Sequence, residues 1–325
     1  MATETIPLKS KKQRSWRERL TNIQTLRRVS QVGFALFILY TVVVHTLVGE
    51  GGDTITASAE AYCPFGGFET LYRYITSGGT IQHTHLSNLV VFVALLVTTV
   101  FTRGAFCGWV CPFGAIQEWL HRGSLWLQKR VPPFGRAMKT LRAKAGVRPF
   151  KPLGGAAQPT LIERIDHYAR YFRYLVLAWI VWGTIYYGYM VFRDVDPYAA
   201  LLTVAEMSFG LGSLVLLVVL IGSVFVERPW CRYACPLGAV VGVVSQVSPV
   251  RLQREGAACN GCNLCTKKCP VGIDVATATD ITDTNCIMCL ECVDNCPAAG
   301  ALGVRLVLPG IKATPGEPTI TPAAK

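Results

Sequence analysis

The sequence contains no phosphate-binding loop, no Rossmann glycine fingerprint and no evident Ser/His/Asp arrangement, so nucleotide-driven and triad chemistry have no residues to carry them. It has no C-x-x-C-H motif, which excludes haem attached through that motif. Histidine is scarce, at five residues, and acids are outnumbered: 20 Asp and Glu stand against 32 Lys and Arg, a net charge of +12. That balance points to nucleic acid or to an anionic membrane surface, and the placement of the basic residues decides between them.

Apolar residues and cysteine are abundant. Half of the 325 residues are apolar, the mean hydropathy is +0.36, and there are 13 cysteines. Four apolar runs, 29–48, 86–102, 171–192 and 209–226, are candidates for crossing a hydrocarbon layer, which takes about 20 helical residues. The second is short and ends at Arg103, whose side chain can snorkel to an interface. Basic residues crowd the N-terminal tail and the 103–170 loop, while loop 50–85 holds Arg73 against Glu50, Asp53, Glu60 and Glu69. The alternation predicts in, out, in, out, in, with both termini cytoplasmic. The charge is then a topology signal and no nucleic-acid partner is expected. The first run reads as an uncleaved anchor, Trp119 and Trp126 as interfacial, and the Pro/Gly-rich stretch 131–159 as an irregular connection.

After the last run come "CNGCNLCTKKCP" and "CIMCLECVDNCP", both C-x2-C-x2-C-x3-C-P, with all four cysteines offset by 27 residues. A cubane [4Fe–4S] cluster offers four iron corners, each wanting a thiolate. The tight loop supplies three, and the cysteine before proline ligates the other repeat's cluster. One cluster is assigned to Cys259, Cys262, Cys265 and Cys296, the other to Cys286, Cys289, Cys292 and Cys269. Structural zinc, the alternative, ordinarily uses two separated C-x2-C pairs. Disulfides do not suit a domain facing a reducing compartment. Within it Asp274, Asp280, Asp283, Glu291 and Asp294 outnumber Lys267 and Lys268.

A second duplication lies nearer the N-terminus. "FCGWVCPFGA" and "WCRYACPLGA" each follow an apolar run, and their cysteines are 124 residues apart. They read as two membrane hairpins, each closing on C-x3-C-P, with the cysteines of a pair on one helix face. Cys107, Cys111, Cys231 and Cys235 are thereby expected to converge as a third Fe–S site, as redox thiols or as packing cysteines. The lone "CPFG" at Cys63 falls in the expected outer loop, as a turn or a separate outer-face site. His83, His85 and the nearby His45 are candidates for proton exchange or quinone contact and equally for plain interfacial residues.

The expected architecture is an all-α membrane protein. Residues 1–28 form a basic tail and 29–248 a four-helix membrane domain of two repeated hairpins. Residues 249–303 form a cytoplasmic bacterial-type two-cluster ferredoxin domain, and 304–325 a tail. Over 29–300 this pattern resembles the NapH/MauN-type membrane polyferredoxins, the quinol dehydrogenase membrane subunits. The resemblance implies a multi-pass prokaryotic inner-membrane protein passing electrons between the quinone pool, cytoplasmic clusters and an outer acceptor. Its implied partners are the lipid bilayer, quinol and an Fe–S or cytochrome subunit. An accessory role, supplying electrons to mature or reactivate a metalloenzyme, is the alternative.

Overall fold

The computed structural model describes residues 22–48, 66–67, 86–144, 161–187, 191–192, 194–202, 210–298 and 300–307. Cys63, His83 and His85, the acids of loop 50–85, most of both tails and residues 145–160 lie outside the described residues, as does the His45 side chain.

Helix α1 (Ile23–Val48) starts at Asn22, whose side-chain oxygen accepts from the Gln24 N–H as an N-cap does. Gln24, Arg27 and Gln31 recur at helical spacing and are buried together, while Val29, Leu36 and Tyr40 point away and are exposed. Helix α2 (Leu86–Thr102) ends at Arg103, which sits in the left-handed region with φ 56°, and a short α3 (Ala105–Trp109) follows. Helix α4 (Pro112–Arg130) has proline at its first position, where the missing N–H costs nothing. The chain continues as α5 (Pro132–Lys144), α6 (Leu161–Ala169), α7 (Phe172–Tyr187), α8 (Pro197–Leu202), α9 (Leu211–Phe225), α10 (Pro229–Tyr233) and α11 (Pro236–Val244). Helix α4 packs on α1 and α9, and α11 packs on α2 and α7.

Four membrane helices in two hairpins are not what forms. Among the described residues only α1, over Ile23–Val44, is long and apolar enough to cross a membrane. Helices α2, α7 and α9 stop at 17, 16 and 15 residues, against about 20 for a bilayer core. The apolar runs 171–192 and 209–226 are longer than the helices they contain. Gly210 and Val226 are extended at the two ends of α9, and Val191 and Phe192 stand in a turn beyond α7. The chain is not all-α either. Strands β1 (Val250–Arg254), β2 (Asp280–Ile281) and β3 (Leu302–Leu306) form an antiparallel sheet in the order β2-β1-β3. The Pro/Gly-rich connection is also helical over α5, because its two prolines stand in the first turn, where helices tolerate them.

The ferredoxin unit is present and its duplication is structural. Short helices α12 (Leu264–Lys267) and α13 (Glu291–Asp294) occupy matching places. Gly261 and Met288, then Asn263 and Leu290, take positive φ at the same offset. The loop therefore imposes a left-handed turn even on Leu and Met, a conformation that ordinary residues seldom adopt.

Two glycines let the short helix α3 press on this unit. A Cβ at Gly104 would meet the Cys286 carbonyl oxygen at 2.4 Å, and one at Gly108 the Ile287 carbonyl oxygen at 2.3 Å. Both obstacles are backbone, so neither can swing aside. Gly123, within α4, has nothing within 4 Å. Gly108→Ala is expected to destabilise the chain by about 1–3 kcal/mol, and Gly123→Ala to stabilise it by about 0.5–1 kcal/mol, read by thermal or urea unfolding. Equal tolerance of the two would contradict this docking.

Candidate functional site

The twelve cysteines of the paired motifs gather in three groups of four. In the second ferredoxin repeat, Cys286, Cys289 and Cys292 line an apolar cavity, and the fourth cysteine on its wall is Cys269, from the first repeat. Cys259, Cys262 and Cys265 interact electrostatically with Cys296 from the second repeat. Cys269 and Cys296 thus each stand beside the three cysteines of the other repeat. Burial first, then neighbouring thiols, pushes Cys289 up to about 12, and burial likewise takes Cys269 and Cys286 to about 11. Such thiols release their protons to a soft cation and not to water.

The third group joins the two distant motifs. Cys235 interacts with Cys231, Cys107 and Cys111, and all four residues are half-buried. They do not meet by sharing helix faces, because each helix breaks between its two cysteines. Cys107 lies in α3, whereas Cys111 is the extended N-cap of α4. Cys231 lies in α10, whereas Cys235 is the extended N-cap of α11. The Cys111 and Cys235 N–H groups donate to Phe106 and Trp230 carbonyls, which gives both halves the same corner. The Gly238 N–H donates to the Cys235 sulfur, and Gln117 Nε2 approaches the Cys231 sulfur at 3.7 Å.

This group adjoins the second-repeat cavity. Cys107 and Ala105 pack against the core that contains Cys289 and Cys292. The Trp109 indole donates to the Met288 carbonyl, Gln24 to that of Cys289, and Arg27 and Gln31 both to that of Gly108. Among the described residues no three His, Cys, Asp or Glu side chains are placed to hold a single metal ion. The all-thiol donor sets and the cavity inside one of them suit a polynuclear iron–sulfur core better than one zinc.

A buried ion network lies beneath the third group. Glu118 is fully buried and pairs with Arg27 and Arg228, both fully buried, and with Arg122. Burial pushes its carboxyl up, but Arg228, Arg27 and Arg122 outweigh this and hold it below the usual range. Arg228, in the left-handed region with φ 55°, also donates to the Cys107 carbonyl. Arg103 is not a snorkelling interface residue. It is 2% exposed and donates to the Ile281 carbonyl, because the chain turns back over the ferredoxin unit where α2 ends. Arg27, Arg122 and Arg228 were not singled out by composition or by the apolar runs. The signal was present as an arginine shortly before each C-x3-C pair, in "TRGAFC" and "ERPWC".

Comparison with known proteins bears on the same residues. A family model described as a 4Fe-4S binding domain matches residues 84–133 and 209–255, one match on each C-x3-C-P half, and a 4Fe-4S dicluster domain matches 251–297. The putative electron transport protein YccM of Escherichia coli (strain K12) is 29% identical over 257 residues, covering 77% of this chain and 64% of that protein. The ferredoxin-type protein NapH of the same strain is 26% identical over 225 residues, covering 65% of this chain and 67% of its own. The chain is similar to the NapH-type iron–sulfur electron-transfer proteins over both sets of cysteine motifs. Protein NirI of Paracoccus denitrificans is 28% identical over 191 residues, covering 58% of this chain and 24% of that protein. No solved structure matches. The motifs that the family models match and the cysteines gathered in space coincide.

One chemical consequence concerns the metal-free protein. A hydrogen bond from the Gly261 N–H, then Arg254, lowers the pKa of Cys259 against its slight burial. Burial raises those of Cys107 and Cys289. At about pH 8, iodoacetamide is therefore expected to label Cys259 first and Cys107 and Cys289 last, read by mass spectrometry of peptides. Uniform labelling would mean that the groups of four do not persist without metal.

Proposed function

We propose that the chain is a membrane-attached relay that passes single electrons between the quinone pool, or another donor, and a partner Fe–S or cytochrome protein. In this reading Cys259, Cys262, Cys265 and Cys296 hold one [4Fe–4S] cluster and Cys286, Cys289, Cys292 and Cys269 a second. Cys107, Cys111, Cys231 and Cys235 hold a third. Iron–sulfur clusters supply reversible one-electron transfer at potentials set by charge, hydrogen bonds and solvent access. The protein's part is to hold the thiolates, exclude water and keep the sites in contact. The observation that carries the reading is the packing of the Cys107 segment directly on the Cys286–Cys292 loop, backbone against backbone at Gly104 and Gly108. Electron transfer needs that closeness; separate structural zinc sites do not.

Membrane attachment is proposed through α1. Its outward face carries exposed Val29, Phe34, Leu36 and Tyr40, and α7 and α9 carry exposed Trp182 and Leu217. Gln24 and Arg27, in the first turns of α1, touch the ferredoxin unit and the Cys107 segment. The start of α1 and the cluster domain therefore share one side. The basic residues near that end favour the cytoplasmic side.

The test is iron and acid-labile sulfide per chain after anaerobic purification in detergent. Three cubanes predict about 12 Fe, falling to about 8 when Cys107 and Cys231 become serine. About 8 Fe unchanged by those substitutions would remove the third cluster from the proposal. Stoichiometric zinc with little iron would overturn the relay.

A further inference from the structure

Burying a guanidinium without a counter-charge is costly even after the protein relaxes. Among the described residues four arginines, Arg27, Arg103, Arg173 and Arg228, are at most 2% exposed, and Glu118 is the one acid buried to that degree. Glu118 answers for Arg27 and Arg228. Arg103 and Arg173 have no carboxylate at ion-pair distance among the described residues. Arg103 donates to the Ile281 carbonyl, and Arg173 to the Thr284 and Tyr174 hydroxyls. The described residues thus hold more buried positive charge than their own buried carboxylates neutralise.

The arginines are not scattered. Arg103 interacts with Cys286 and Arg27 with Cys289, both in the second repeat. Arg228 interacts with Cys107, Cys111 and Cys231, and Arg173 with Cys107. The first-repeat site has none of them. Its neighbouring cation is Arg254, which is partly exposed, and Cys259 lies near the surface. Four thiolates outweigh the positive charge of a [4Fe–4S] core, so a filled site is anionic and becomes more so on reduction. A fixed cation beside it in a medium of low dielectric constant favours the reduced form.

We infer that the buried arginines are the counter-charge of the two inner cysteine groups, raising the reduction potentials of those sites and leaving that of the first repeat unaffected. This rests on the proposal that these groups carry clusters. Arg103 and Arg228 are positioning residues: they act on the electron's resting place through charge, and ligate nothing. Because the charge is buried, salt screens it little.

The experiment is a potentiometric titration of the whole detergent-solubilised chain, followed by EPR, with iron counted in every sample. The signal lost on Cys262→Ser identifies the first-repeat site. Arg103→Gln is expected to move the second-repeat midpoint to lower potential and leave the first-repeat midpoint in place. Arg103→Lys, which keeps the charge, is expected to restore most of the shift. Arg228→Gln is expected to lower the midpoint of the Cys107 group in the same selective way. A wild-type measurement covers the case in which these variants do not fold. Between about 0.05 and 0.5 M salt the second-repeat midpoint is expected to stay nearly constant while the first-repeat midpoint moves. Full iron with an unshifted second-repeat midpoint in Arg103→Gln, an equal shift in both repeats, or equal salt dependence of both would overturn the inference. Absence of iron would instead fail the cluster proposal beneath it.

Discussion

The ion network centred on Glu118 joins the parts of this chain that carry its chemistry. One carboxylate receives Arg27 from α1 and Arg228 from the turn before α10, while Arg122 closes it from its own helix. Arg27 and Arg122 also reach Glu291 at the start of α13, so the network crosses into the ferredoxin unit. Charges this deep are stable only when every partner stays in place. The helices around the Cys107 group, the first turns of α1 and the second iron–sulfur repeat are therefore held in one arrangement.

Two old duplications are fitted together around this network. In the ferredoxin unit the copies exchange their fourth cysteine, so each site needs both repeats. In the helical part the copies each make a broken corner, with a proline just past the second cysteine opening the next helix. The exchange makes neither half of the ferredoxin unit self-sufficient. The corners do the same for the third group, where Cys107 and Cys111 meet Cys231 and Cys235, and α4 packs on α9 nearby. Glycine supplies the remaining freedom at Gly104 and Gly108, where the two duplicated regions touch through their backbones.

The apolar faces of α1, α7 and α9 and the buried arginines are two aspects of one design problem. On the proposed reading, cations held inside the chain answer the charge of anionic clusters. The guanidinium suits this because it keeps its charge when buried and spreads its donors over several carbonyls, as Arg27 and Arg228 do with Gly108 and Cys107.

The eight ferredoxin cysteines were legible in the sequence because ligand spacing in a tight loop is a local property. The meeting of Cys107, Cys111, Cys231 and Cys235 was legible from the duplication, though not its means: helical periodicity placed each pair on one face, where the chain instead breaks at Val110 and Ala234. Helix length could not be read from composition. An apolar run records which residues avoid water, whereas a helix ends where a left-handed Arg103 or an extended Val226 turns the backbone. The buried arginines were the least legible, since a charged residue at the end of an apolar run reads as solvent-facing until something packs over it. Only the tertiary structure, by folding the ferredoxin unit back onto α3 and α1, decided that those charges lie inside.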